Sequence, residues 1–133
     1  MNSKIIEIYQ NDNSFLRFYA RVPDIQSQKG FVVTSGWFVV KQSKSDADID
    51  AVISKVVNST VEDNNQGLMI NPSSFGCEFR FNLTPTDTSA LLCDRDYYYV
   101  VKFGIVDTTG LITNAYTLQT GIFRIRSGVT KIV

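Results

Sequence analysis

Apolar residues recur at every second position in several separate stretches of this chain, and this period of two is the feature that most constrains its fold. In residues 14–22 (SFLRFYARV) one face of an extended strand would carry Phe15, Arg17, Tyr19 and Arg21. The opposite face is uniformly apolar and consists of Leu16, Phe18, Ala20 and Val22. Because such alternation is typical of a half-buried β-strand, we predict a strand here with the apolar set turned inward.

The same period predicts further strands over residues 35–42, 51–57, 77–83, 96–106 and 115–126. In the longest, 96–106, one face is predicted to join the core: Tyr97, Tyr99, Val101, Phe103 and Ile105. The last segment reads as two short strands broken near Thr120-Gly121. Turn-forming residues separate these runs at 23–24, 64–67, 71–74 and 107–110. About six to nine short strands at this spacing favour one antiparallel β-sandwich over a parallel α/β fold.

One stretch, LTPTDTSALL at residues 83–92, interrupts the β-pattern with a helix-start signal. Thr84 suits the N-cap, Pro85 the first helical position, and Asp87 stands at the spacing of a capping box. The sequence therefore predicts a single turn of helix in which Thr84 and Asp87 bond to the backbone. Leu91 and Leu92, which follow, are predicted to cover one open end of the sandwich.

Composition excludes several classes of function. Thirteen basic residues balance thirteen acidic ones, and a net charge of zero argues against nucleic acid as a partner. The chain has no histidine, which removes the commonest general base and zinc ligand. Without a signal-like or membrane-length apolar run, we expect a protein made in a cytoplasm, with no membrane partner. We therefore expect neither an enzyme nor a cofactor.

The two cysteines, Cys77 and Cys93, are then most simply free thiols that pack as small apolar residues. A disulfide between them remains the alternative. A weak metal candidate is the alternating set Asp46, Asp48 and Asp50, which resembles the opening of a calcium-binding loop. Later positions of that loop hold Ala51 and Val57 instead of glycine and glutamate, so a solvated loop is favoured.

Candidate binding residues fall into two groups. Tyr98 is predicted to point away from the core side of its strand, and with Trp37 and Tyr116 it forms a set of rings that could stack on a ligand. The chain ends, residues 1–10 and 127–133, are predicted docking arms of a single domain spanning 1–133. The interface candidates on them are Ile6, Ile8, Ile132 and Val133. Residues 1–10 are either an edge strand of this sandwich or an arm that pairs with a neighbouring subunit.

The order of motifs in the second half carries a family resemblance. The segments FRFNLTPTDTSALL, DYYYVVKFGIVDTTG, YTLQTGIFRI and SGVT follow one another. They resemble the small immunoglobulin-like β-sandwich domain of phage virion proteins, notably the N-terminal domain of upper baseplate proteins of tailed phages. That family has an "LTPADTAxL" turn, a "GxYYYDV" strand, a "DxxG" hairpin, a "TLxSGxFxV" strand and a terminal "VT". The resemblance is strongest over 77–130, and departs where Arg95-Asp96 replaces the usual glycine and Cys93 the usual proline.

The resemblance implies an all-β fold: an antiparallel immunoglobulin-like β-sandwich of about seven to nine strands, with one short helical turn near 84–91. It also implies a non-enzymatic structural protein of the virion that docks to other virion proteins, commonly within a homo-oligomer or symmetric assembly. The position on the particle stays open between tail or baseplate, neck, and capsid surface or head fibre. The alternative function is a carbohydrate- or host-receptor-binding module.

Overall fold

The computed structural model describes residues 4–47, 50–110 and 113–127. Within these ranges the chain forms eight strands and two short helices. The strands are β1 (Lys4–Tyr9), β2 (Ser14–Arg21), β3 (Val32–Lys41), β4 (Ile53–Val57), β5 (Gly67–Ile70), β6 (Gly76–Leu83), β7 (Asp96–Val106) and β8 (Thr113–Arg126). The helices are α1 (Asp24–Gln28) and α2 (Pro85–Ser89).

The strands form two sheets that pack face to face. The large sheet has the order β1-β8-β7-β3-β4 and the small sheet the order β2-β6-β5. Neighbouring strands are antiparallel except β1, which runs parallel to β8. This division into two sheets resembles that of immunoglobulin-type sandwiches, in which strands B, E and D share one sheet and strands C′, C, F and G share the other. The predicted all-β sandwich is therefore confirmed, with eight strands in the described part of the chain.

The core lies between the inner faces of the two sheets, where strand alternation places the apolar side chains. All five inward residues predicted on β7 are buried. Phe38 of β3 lies at the centre, with its ring centroid 5.7 Å from that of Phe81 and 5.9 Å from that of Phe123. Next to it, a Cβ atom on Gly36 would come within 2.6 Å of the Phe79 ring. Glycine at position 36 thus lets the two sheets approach closely.

β8 is one unbroken strand and not the two short strands that the sequence predicts. The sequence predicts a break near Gly121, but this residue lies inside the ladder and pairs with both Lys4 and Tyr99. A Cβ atom at this position would come within 1.9 Å of the Lys4 carbonyl oxygen. The glycine therefore serves the close approach of β1 and does not end the strand.

α2 is the predicted helical turn, and a complete capping box opens it. The Thr84 side chain accepts from the Asp87 N–H, and the Asp87 carboxylate accepts from the Thr84 N–H at 2.7 Å. The same carboxylate lies 2.7 Å from the Lys55 ammonium, whose side chain is buried between the sheets. Asp87 thus joins the helical turn to β4.

The segment after α2 differs from the prediction in one respect. Leu91 is 7% exposed and belongs to the core, but Leu92 is 57% exposed. Adjacent residues of a non-helical segment point to different sides, and here Leu91 is the one turned inward. The Leu92 N–H instead donates to the Tyr97 hydroxyl at 3.0 Å. This hydrogen bond resembles the tyrosine corner of immunoglobulin-type sandwiches, which also lies just before the equivalent strand.

A second difference is α1, which forms where the sequence predicts a simple turn at Pro23-Asp24. Pro23 takes the N-cap position, and its carbonyl oxygen accepts from the Ser27 N–H at 2.9 Å. Proline is tolerated at the start of a helix because the N–H that it lacks would have no intrahelical acceptor there. α1 carries the chain from β2 of the small sheet to β3 of the large one.

Candidate binding surface

The outer face of the large sheet carries apolar side chains on all five of its strands. Three rows of cross-strand neighbours cross this face. The apolar members of these rows, which we call the apolar stripe, are Ile5, Ile122, Tyr98, Val100, Val39, Trp37 and Val56. A row of charged residues borders the stripe on one side. An apolar patch bordered by charges is typical of surfaces that bind other molecules.

Burial within the apolar stripe is graded from its centre to its edges. Val39 is only 5% exposed although its side chain points away from the core, because neighbouring outer side chains cover it. Val56 on the edge strand β4 is 39% exposed, and Ile5 on the edge strand β1 is 53% exposed. The stripe is therefore already packed at its centre and open at both ends.

A depression of about 450 Å³ lies in the stripe at Tyr98. Lys41, Lys44, Thr120 and Ile122 also line it. The Lys44 ammonium lies 5.3 Å from the centroid of the Tyr98 ring, and the Lys41 ammonium donates to the Asp46 carbonyl oxygen at 2.9 Å. An aromatic ring beside an ammonium group can stack on a flat apolar ligand surface and donate hydrogen bonds at its border.

The charged row beside the stripe is a network of ion pairs across three strands and a turn. The Arg124 guanidinium contacts Asp96 at 2.7 Å and Glu7 at 3.6 Å. Arg126 contacts Glu7 at 2.9 Å and Asp94 at 2.8 Å. The hydrogen bond from Arg126 lowers the pKa of Glu7, and that from Arg124 lowers the pKa of Asp96. These contacts attach β1 to β8 and fix the charges at this border.

The predicted interface residues of the first arm point toward the inner face of the large sheet. β1 pairs with β8 of the same chain, and its register turns Ile6 and Ile8 toward the core. Ile8 is 8% exposed, so it is a core residue and not an interface residue. The outward apolar residues of β1 are Ile5 and Tyr9, which are 53% and 57% exposed. The candidates Ile132 and Val133 lie outside the described residues.

The three candidate rings do not converge on one site. Tyr116 stacks on Phe103, with ring centroids 5.5 Å apart, and packs against the core. Trp37 and Tyr98 both lie on the outer face of the large sheet. Trp37 pairs with Lys102, which is four residues from Tyr98 along β7, or roughly 13 Å at about 3.3 Å per residue. Tyr98 is therefore the ring that lines the depression, while Trp37 belongs to the other end of the stripe.

The metal candidates are not brought together as a site within the described residues. Asp46 accepts from the Ser43 N–H at 3.2 Å, as a residue that stabilises its own turn. Asp48 lies outside the described ranges, and Asp50 begins the segment after that gap. Over the parts of the chain that the structure describes, no group of three or more His, Cys, Asp or Glu residues could hold a metal ion.

Both cysteines are free thiols, as predicted. Cys77 is fully buried on the inner face of β6, and burial raises the pKa of its thiol to about 11. Cys93 is partly buried and donates to the Gln10 side-chain oxygen at 3.3 Å. Gln10 also donates to the carbonyl oxygen of Leu91 at 3.0 Å, so this contact ties the β1–β2 connection to the end of α2.

Sequence reasoning missed most of the apolar stripe, although a signal for it was present. In both β3 (GWFVV) and β7 (YYYVV) apolar residues occupy consecutive positions and do not alternate. Such runs are typical of strands that are covered on both faces. The runs therefore indicate an outer face with apolar character, which the assignment of one buried face to each strand overlooked.

No known family model matches this chain, and a comparison with curated proteins finds no match. Among the described residues, no helix is both long enough and apolar enough to span a membrane.

Proposed function

We propose that this protein is a non-enzymatic structural component of a bacteriophage particle, which binds other virion proteins through the apolar stripe. The resemblance of residues 77–130 to virion sandwich domains supports the class of protein. The apolar stripe is the observation that carries the mode of action. In the stripe, neighbouring side chains already shield the central residues from water before a partner binds. The ion pairs of the charged row beside the stripe are already formed.

Binding through the stripe would remove its exposed apolar surface from water. The open ends of the stripe, around Ile5 and Val56, would gain about 25 cal/mol for each Å² of apolar surface removed from water. The packed centre at Val39 would lose little side-chain freedom, because its neighbours already hold it. The charged row would set the orientation of the partner, since mispaired charges at an interface are costly.

Incorporation of surface variants into particles tests this function. Tyr98→Glu places a charge in the middle of the stripe, and Ile25→Glu places the same charge on α1, at a side chain that is 66% exposed. Both variants should melt within a few degrees of the unchanged protein. We expect Tyr98→Glu to be lost from purified particles and Ile25→Glu to be retained. Equal incorporation of both would contradict docking through the stripe.

The depression at Tyr98 favours a second candidate, a carbohydrate- or host-receptor-binding module. A ring bordered by ammonium groups and the Thr120 hydroxyl suits the flat face and hydroxyl groups of a sugar. A glycan array followed by calorimetry tests this candidate. Saturable binding that Tyr98→Ala abolishes and Tyr19→Ala leaves unchanged would support it, because Tyr19 is an exposed ring on the small sheet. Absence of binding across the array would count against it.

A further inference from the structure

One side of the sandwich is less closed than the rest. On one side of the sandwich, the edge strand β4 of the large sheet packs against β5 and β6 of the small sheet. The remaining edge strands, β1 of the large sheet and β2 of the small sheet, therefore lie on the opposite side. Along this side, inner-face apolar residues are only half-buried. We call them the open-side residues: Ile6, Leu16, Phe18, Tyr116 and Leu118. They are apolar core positions that no strand of the described chain covers completely.

The backbone of β2 borders this open side with unpaired hydrogen-bonding groups. β2 pairs with β6 on one edge in regular register, without a bulge. Just after β2, the Val22 N–H donates to the Phe75 carbonyl oxygen, and this pair continues the register of β2 with β6. Since hydrogen-bonded pairs alternate along an antiparallel ladder, the even-numbered residues of β2 are the ones that bond to β6. The N–H and C=O groups of Phe15, Arg17, Tyr19 and Arg21 therefore point to the free edge. Within the described residues, no hydrogen bond uses them.

Two other sheet edges are partly occupied by the chain itself. On β4 the Val56 N–H donates to the Gln66 side-chain oxygen at 2.9 Å. On β5 the Met69 N–H donates to the Ser59 carbonyl oxygen at 2.8 Å. Among residues 4–47, 50–110 and 113–127, none covers the edge of β2 in this way, and β2 is twice as long as β5, with eight residues against four. A long regular edge with free groups is a template for an added strand.

The side chains of β2 indicate what that strand should contain. Arg17 and Arg21 point outward, with side chains 64% and 78% exposed, and their acidic neighbours Glu78 and Asp24 stand at 3.9 and 3.7 Å. These long contacts leave the guanidinium groups able to pair with a new partner. Cross-strand neighbours of opposite charge stabilise a β-ladder, and like charges destabilise it.

We propose that the free edge of β2 binds an extended segment of another polypeptide, in which acidic and apolar residues alternate. The segment adds a fourth strand to the small sheet by hydrogen bonding to the backbone of Phe15, Arg17, Tyr19 and Arg21. Its acidic side chains lie on the outer face beside Arg17 and Arg21. Its apolar side chains point inward and cover the open-side residues. This is strand addition, a recognised mode of peptide binding. The inference stands on the β2 edge alone and does not rest on the virion function.

A synthetic peptide of alternating valine and glutamate, about seven residues long to match the β2 edge, serves as the probe. Three peptides of equal length are compared: the acidic one, a valine–lysine version, and an acidic version N-methylated at alternate residues. Amide exchange followed by NMR reports on individual N–H groups of the full chain. We expect the acidic peptide to slow exchange at Phe15, Arg17, Tyr19 and Arg21. The N-methylated peptide should have no effect, since it cannot complete the ladder.

Charge reversal tests the specificity while leaving the backbone edge unchanged. The unchanged protein should bind the acidic peptide about tenfold more tightly than the basic one, a difference of about 1.4 kcal/mol shared between the two charged pairs. In Arg17→Glu/Arg21→Glu this preference should reverse. Both side chains are exposed, so the variant should fold normally.

Three outcomes would overturn the proposal. Protection at Ile5, Glu7 and Tyr9 instead of β2 would show that the edge at β1 is the binding edge. Equal affinity for the acidic and basic peptides would show that Arg17 and Arg21 do not select an acidic strand. Protection of the β2 amides in concentrated protein without peptide, together with dimers in sedimentation velocity, would make a second copy the occupant.

Discussion

At the scale of single residues, Asp87 connects the cap of α2 to the edge of the large sheet. Its carboxylate accepts from the Thr84 N–H, and it lies 2.7 Å from the ammonium of Lys55, whose side chain is 4% exposed. Lys55 also donates to the Asn65 carbonyl oxygen and so holds the loop before β5. A buried cation of this kind is tolerated only while it stays paired.

We therefore expect Asp87→Ala to lower the free energy of unfolding by about 3–5 kcal/mol, chiefly because Lys55 loses its partner inside the protein. Urea denaturation measures the change. Asp24→Ala is the matched control, since its pair with Arg21 is 3.7 Å long and exposed, and it should change stability by less than about 1 kcal/mol. A loss below about 1 kcal/mol for Asp87→Ala would show that Lys55 finds water or another partner.

A second prediction at the residue scale concerns the Tyr97 hydroxyl. It accepts from the Leu92 N–H at 3.0 Å, and Tyr97 itself is 2% exposed. Tyr97→Phe keeps the ring in the core but leaves that N–H without its partner, so we expect a loss of about 1–3 kcal/mol. The same measurement on Tyr98→Phe should show no change. Equal stability of the two variants would mean that the corner contributes nothing to the fold.

At the scale of elements, the attachment of β1 depends on charge. The pKa of Glu7 is lowered in the folded chain by its hydrogen bond from Arg126, relative to an ordinary value of 4.5. Because the pKa is lower in the folded chain, the ion pairs stabilise the folded state when the pH is above the ordinary value of 4.5. This stabilisation is lost as the pH falls through the lower, folded value.

We therefore expect amide protection in β1 to decrease as the pH is lowered from about 5 to below the ordinary carboxyl value of 4.5, ahead of protection in β3 and β7. Hydrogen exchange, corrected for its intrinsic pH dependence, measures this difference. In Glu7→Gln the carboxylate is absent, so β1 should be less protected at pH 5 and should change less over the same range. Parallel behaviour of β1 in both proteins would contradict the role of Glu7.

The elements also show how far the sequence could predict the fold. Alternation located β2, β6 and β7 well, because each has one clearly apolar face. β5 was missed because GLMI is short and lacks alternation. The unbroken β8 was missed because Gly121 resembles a break, whereas its role depends on how closely β1 approaches, which a local pattern does not contain.

The candidate surface was harder to predict for the same reason. Tyr98 and Trp37 were expected at the surface, but the stripe that contains them depends on which strands become neighbours. Periodicity gives the face of each residue within its strand and does not give the order β1-β8-β7-β3-β4. The burial of Ile8 was not predicted, because pairing of β1 with β8 of its own chain could not be distinguished from pairing with another subunit.

At the scale of the whole molecule, residues 127–133 (SGVTKIV) are the predicted docking arm. Within the described residues, the two sheets are built from β1 to β8, and β8 spans Thr113–Arg126. Deleting 127–133 should therefore leave the melting temperature nearly unchanged and abolish incorporation into particles, as judged by immunoblot of purified virions. A glycine–serine segment of the same length is the control and should also fail to incorporate. Normal incorporation of the deletion variant would contradict the C-terminal docking arm.

The central claim is that this sandwich is part of a phage particle, and immunogold electron microscopy of purified particles tests it most directly. Antibody raised against the chain should label one structure: the tail tip, the neck or the head surface. Such confined label would agree with an adaptor or decoration at that place. Particles that stay unlabelled, with no band for the chain in an immunoblot of denatured particles, would contradict the account.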